Sequence, residues 1–139
     1  RKMKTIKISK NEAAELYNGL VDVKDLKSKN FALKAAKNMT AIKEALQDIE
    51  ELGKPTDEFM ELSLRVQTIV NEDPDNGKER IEKLEKENIE LVEQRKSQLE
   101  LVNERLLEDV DLELDIFSED VLPDEITTDQ INKLIKLIE

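Results

Sequence analysis

The sequence predicts a mainly α-helical fold, an elongated helical bundle or coiled-coil hairpin, with a small two-stranded β element joining the N-terminal and C-terminal regions. Three observations carry this expectation. Apolar residues recur every three to four positions through most of the 139 residues, which is the helical period. Charged residues make up 40% of the chain and aromatics 3%, so the apolar content is Leu, Ile, Val and Ala, which suits narrow helix–helix seams. Two short segments near the chain ends alternate with a period of two instead. At this length a single domain spanning 1–139 is expected.

The first strand is read at 4–8, where Ile6 and Ile8 share a face. Ser9-Lys10-Asn11-Glu12 has the form of a capping box: the Ser9 hydroxyl accepts from an early helix N–H while Glu12 reaches back to the cap. Ala13, Leu16, Tyr17 and Leu20 follow at helical spacing, giving a helix over 9–25. After the polar break Lys27-Ser28-Lys29-Asn30, the stripe Phe31, Ala35, Met39, Ile42, Leu46 and Ile49 defines a helix over 30–52. Gly53-Lys54-Pro55 ends it, with Gly suited to a C-terminal cap and Pro unable to extend the hydrogen-bond ladder. Thr56 caps a helix over 56–72 whose buried face is Phe59, Leu62, Val66, Ile69 and Val70. Asp73-Pro74-Asp75-Asn76-Gly77 is a turn by composition.

The longest element covers 78–107. Ile81, Leu84, Asn88, Val92, Arg95, Leu99, Val102 and Leu106 form a coiled-coil type seam with Glu and Lys between them. Asn88 and Arg95 interrupt it, either fixing register and partner number or lying at the margin with their polar ends in water. The antiparallel partner over 56–72 is too short to cover four heptads. Ile81, Leu84, Asn88, Val92, Leu99, Val102 and Leu106 are therefore the candidate interaction seam, and a homo-oligomer or a helical protein partner is expected.

Beyond 107 the period changes. Val110, Leu112, Leu114 and Ile116 alternate with Asp109, Asp111, Glu113 and Asp115, which reads as a strand over 110–117 able to pair with 4–8. The alternative is that the long helix continues through this acidic stretch. Pro123 stops regular structure, and Thr127-Thr128-Asp129-Gln130 caps a helix over 128–139 with Ile131, Leu134, Ile135 and Ile138 on its apolar face.

The charge balance narrows the function classes. Net charge is −11, from 33 acidic and 22 basic residues, which repels phosphate backbones and anionic membranes, so neither nucleic acid nor membrane is an expected partner. The one basic cluster, Arg1, Lys2, Lys4, Lys7 and Lys10, reads as a solvated strand edge. With no Cys and no His, thiolate and imidazole chemistry are excluded. No apolar run reaches the length of a membrane span, and a cytoplasmic location is expected. The spacing of Asn71, Asp73, Asp75 and Glu82 imitates a calcium loop, but Pro74 occupies its second place and Gly77 comes one position late, so an ordinary turn is expected. The row Asp109, Asp111, Glu113 and Asp115 is a candidate acidic face for a basic partner or a divalent cation. Gly19, Gly53 and Gly77 are isolated, no nucleophile motif is present, and neither enzymatic activity nor a cofactor is expected.

The Ser9-Lys10-Asn11-Glu12 opening, the stretch Phe31-Ala32-Leu33-Lys34-Ala35-Ala36-Lys37-Asn38, the charged middle helices and the run Leu122-Pro123-Asp124-Glu125-Ile126-Thr127 give the chain a layout that resembles the small helical proteins of tailed bacteriophages and prophages. That resemblance implies an accessory or assembly protein, found in the host cytoplasm or the virion, and carries no functional residues with it. The leading expectation is a non-enzymatic interaction or assembly module. Two others stand beside it: an acidic inhibitor that imitates nucleic acid toward a basic host protein, and a helical holdase chaperone similar to prefoldin.

Overall fold

The structure is a computed structural model and describes residues 2–139. Arg1, and with it the first member of the basic cluster, lies outside the described residues. The fold is mainly helical, with one small antiparallel sheet joining the N- and C-terminal regions. Strands β1 (Met3–Ser9) and β2 (Asp109–Asp115) pair in the register Met3↔Asp115 through Ser9↔Asp109. The alternating segment is thus a strand and not a continuation of the long helix, although it ends at Asp115. Alternation explains why a strand tolerates so many acids. Leu112, Leu114 and Ile116 are buried on one face, while Asp109, Asp111 and Glu113 stand in solvent on the other.

The helices are α1 (Lys10–Asp22), α2 (Lys29–Ala45), α3 (Gln47–Leu52), α4 (Asp57–Glu72), α5 (Lys78–Glu87), α6 (Ile89–Leu106) and α7 (Thr128–Lys133). Both capping boxes are formed. The Glu12 N–H donates to Ser9 Oγ at 3.1 Å, and Thr127 with Gln130 does the same for α7. Thr56 Oγ1 accepts from the Phe59 N–H at the start of α4.

Several boundaries differ from those read in the sequence, each for a local reason. The helix expected over 30–52 breaks at Leu46, whose N–H is shared between the Ile42 and Lys43 carbonyls. The helix expected over 78–107 breaks at Asn88, where the side-chain Nδ2 donates to the Leu84 carbonyl at 2.9 Å and competes with the backbone ladder. No glycine has a positive φ, so Gly53 ends α3 without a left-handed cap. The last element is short because the chain tightens into a 3-10 turn over Ile135–Leu137. That turn buries Leu137, exposes Ile135, and lets Ile138 bridge in parallel to Phe117.

The chain divides into two compact units: the described residues up to Ile49 together with Arg105–Glu139, and Glu50–Glu104. The first holds the main core. Leu20, Ile42, Leu114, Phe117, Leu134 and Leu137 are fully buried there, and the Phe31 and Phe117 rings meet at 4.8 Å between centroids. Asn38, buried on α2, brackets the edge of β2: its Nδ2 donates to the Asp115 carbonyl at 3.0 Å, and its Oδ1 accepts from the Asp115 N–H at 2.8 Å. Gly19 lets α7 approach α1, since a Cβ there would lie 3.1 Å from Lys133 Cβ. Lys133 and Lys136 then reach Asp22 and Glu12 on α1.

Candidate interaction surface of the helical hairpin

The Glu50–Glu104 unit is built on α4 and the α5–α6 run, joined by a tight turn. Asp73 Oδ1 accepts from the Asn76 N–H at 3.2 Å, and the Gly77 N–H donates to the Asp73 carbonyl at 2.8 Å. A side chain at Gly77 would meet that carbonyl at 2.7 Å, which explains the glycine. Among the described residues, no group of three or more carboxylates is gathered in a way that could hold a metal ion.

Inside the hairpin, Leu62 on α4 and Leu84 on α5 are buried. Phe59, Val66, Ile69, Ile81 and Leu91 are half-buried at the same helical spacing. The two polar interruptions of the seam have structural partners. Asn88 holds the Leu84 carbonyl, as above. Arg95 Nη1 donates to the Gly53 carbonyl at 2.7 Å, and its guanidinium lies over the Phe59 ring at 5.6 Å. Gln98 Nε2 donates to the Leu52 and Lys54 carbonyls, each at 2.7 Å. Together Arg95 and Gln98 satisfy the carbonyls that α3 leaves open at its C-terminus, and they fix the register of α6 against the Gly53-Lys54-Pro55 connection.

The sequence-derived seam is therefore divided. Leu84 is buried; Ile81, Asn88, Val92, Val102 and Leu106 are half-buried; Leu99 is 43% exposed. With Ile81, Leu84, Asn88, Leu91, Arg95 and Gln98 turned inward, Val92 and Leu99 fall one position to the side, seven residues apart on one flank. Ile89, 50% exposed, lies on the same flank. In an antiparallel pair, matching flanks of the two helices lie on the same side. On α4 that flank carries Met60, 42% exposed, and Val70, while Leu64, 69% exposed, lies on the outer face of the helix. Val70, assigned by periodicity to the buried face, is thus an exposed flank residue.

The opposite flank is mostly polar. It bears Glu58, Glu61, Arg65, Glu72, Arg80 and Glu87, with the Arg80–Glu72 ion pair at 3.5 Å across it, and carries one exposed apolar residue, Leu101, 40% exposed near its far end. Sequence reasoning missed Met60 and Ile89 because it followed one stripe per helix. The signal was a second, weaker apolar row beside the first.

The four acidic-face residues are also divided. Asp109, Asp111 and Glu113 are exposed, whereas Asp115 is buried with its backbone held by Asn38. Lys7 stands opposite Asp111 in the sheet register and breaks the negative row. No helix among the described residues is long and apolar enough to cross a membrane. Comparison with protein families, curated proteins and solved structures finds no match to this chain.

Proposed function

We propose that the protein is a non-enzymatic protein–protein interaction or assembly module whose contact element is the apolar flank of the Glu50–Glu104 hairpin. One observation carries the reading: the exposed apolar side chains of the hairpin concentrate on one flank, among charged residues, while the other is mostly polar. On the first, Met60, Ile89 and Leu99 are exposed although they have no part in the hairpin's own seam. Apolar side chains scattered singly on a surface need no explanation, but a row contributed by two adjacent helices does. A role in phage assembly fits this reading and follows from the sequence layout alone.

The test is the double variant Ile89→Gln/Leu99→Gln, compared with the native chain by thermal melting and by binding of a neutral dye that fluoresces on apolar surfaces. If the flank is a contact surface, the substitutions remove dye binding or self-association while leaving the melting of the dilute chain within about 2 °C of native, since they alter exposed positions. A large loss of stability in the dilute chain would mean that these residues are structural, and the reading would fall.

A further inference from the structure

We infer that the partner on this flank is a second copy of the same chain, the two α5–α6 runs packing antiparallel about a two-fold axis beside Ile89. The inference rests on the reading of the flank as a contact surface and names its occupant.

Two features support it. First, the Glu50–Glu104 unit has almost no core of its own. Leu62 and Leu84 are the only apolar side chains buried in it, so its exposed row calls for a cover that is always present. A second copy is always available at matching concentration. Second, the charges beside the row are self-complementary. Glu82 and Lys96, both exposed, lie seven residues to either side of Ile89 on the same flank. Seven residues of helix span about 10.5 Å, so two antiparallel copies crossing at Ile89 bring Glu82 of each against Lys96 of the other.

Size exclusion with in-line light scattering over a hundredfold concentration range tests this on the full chain. The native protein is expected at twice the chain mass. Glu82→Lys and Lys96→Glu alone each set like charges together at two symmetric places, and each should raise the concentration for half-association at least fivefold. Glu82→Lys/Lys96→Glu together restore the pairs and should return it to within twofold of native. Two outcomes overturn the proposal: a native mass of one chain throughout the range, or single-variant losses that simply add in the double variant. If the native chain is monomeric yet binds the apolar-surface dye, and Ile89→Gln/Leu99→Gln abolishes that binding, the second copy falls while the contact surface stands. If the two substitutions leave dye binding unchanged as well, both fall.

Discussion

Replacing Asn38 with Leu tests how the main core holds β2. Asn38 is 1% exposed and Asp115 is 1% exposed, so neither end of their double hydrogen bond meets solvent. Leu has about the same bulk and fits an apolar helix face, but it offers nothing to the Asp115 N–H and C=O, which now pair at 2.8 and 3.0 Å. Leaving a buried backbone group unsatisfied costs about 1–3 kcal/mol, so the two together come to roughly 2–5 kcal/mol, less a small gain from burying the apolar side chain. That is a large part of the roughly 5–15 kcal/mol that holds a typical domain together. Urea unfolding followed by far-UV circular dichroism measures the loss directly, and Tm should fall by roughly 10 °C. Asn38→Ala leaves room for water to reach the strand, and its cost should lie at the lower end of that range. An Asn38→Leu variant within about 0.5 kcal/mol of native, the range of an ordinary surface substitution, would refute the claim that this bracket anchors β2.

Other substitutions probe the remaining contacts. Gly19→Val should dislodge α7 from α1 at a cost of about 1–3 kcal/mol, because the new side chain meets Lys133 Cβ and Leu134 Cδ2; loss of the Lys133–Asp22 contact, followed by nuclear magnetic resonance, would report it. Arg95→Met keeps much of the bulk but uncovers the Gly53 carbonyl and removes the cation over Phe59. It should cost about 1–2 kcal/mol in chemical denaturation. Acid should weaken the fold at the N-terminal end of α1. Hydrogen bonding from Lys136, then from the Ser9 backbone and hydroxyl, holds the Glu12 carboxyl below its ordinary value, and Lys10 does the same for Asp48. A carboxyl depressed in the folded state contributes stability above its unfolded value and loses it as pH falls through the folded one, so this contribution fades below about pH 4. Melting of Glu12→Gln across pH 3–6 should show a shallower acid loss than native; an identical slope would remove Glu12 from the account.

Much of the fold could be read from local patterns because the forces behind those patterns are local. Ser9 with Glu12, and Thr127 with Gln130, announce helix starts through bonds three residues apart, and alternation of Val110 to Ile116 with acids announces a strand whose two faces meet different solvents. What escaped depends on partners distant in sequence. Asn38 sits beside Met39 in a helical stripe and looks like a polar neighbour of a core residue, yet Asp115, seventy-seven positions away, makes it a core residue itself. Arg95 looks like a flaw in a seam, and Gln98 goes unnoticed beside Leu99, until the open carbonyls of residues 52–54 are placed against them. The break at Asn88 comes from a side chain bonding its own helix, which periodicity does not register. For the candidate surface, one stripe was legible from heptad spacing. The flank carrying Met60 and Ile89 required knowing which way the first stripe turned.

The central claim, that the Glu50–Glu104 hairpin completes itself by contact along its apolar flank, is tested most directly by amide hydrogen exchange across a concentration series. The account predicts that protection in α4, α5 and the first turns of α6 rises with protein concentration, while protection of α2 and β2 in the main core stays constant. Protection of the hairpin that is high at every concentration and unaffected by Ile89→Gln/Leu99→Gln would contradict it, because the hairpin would then be stable without any partner.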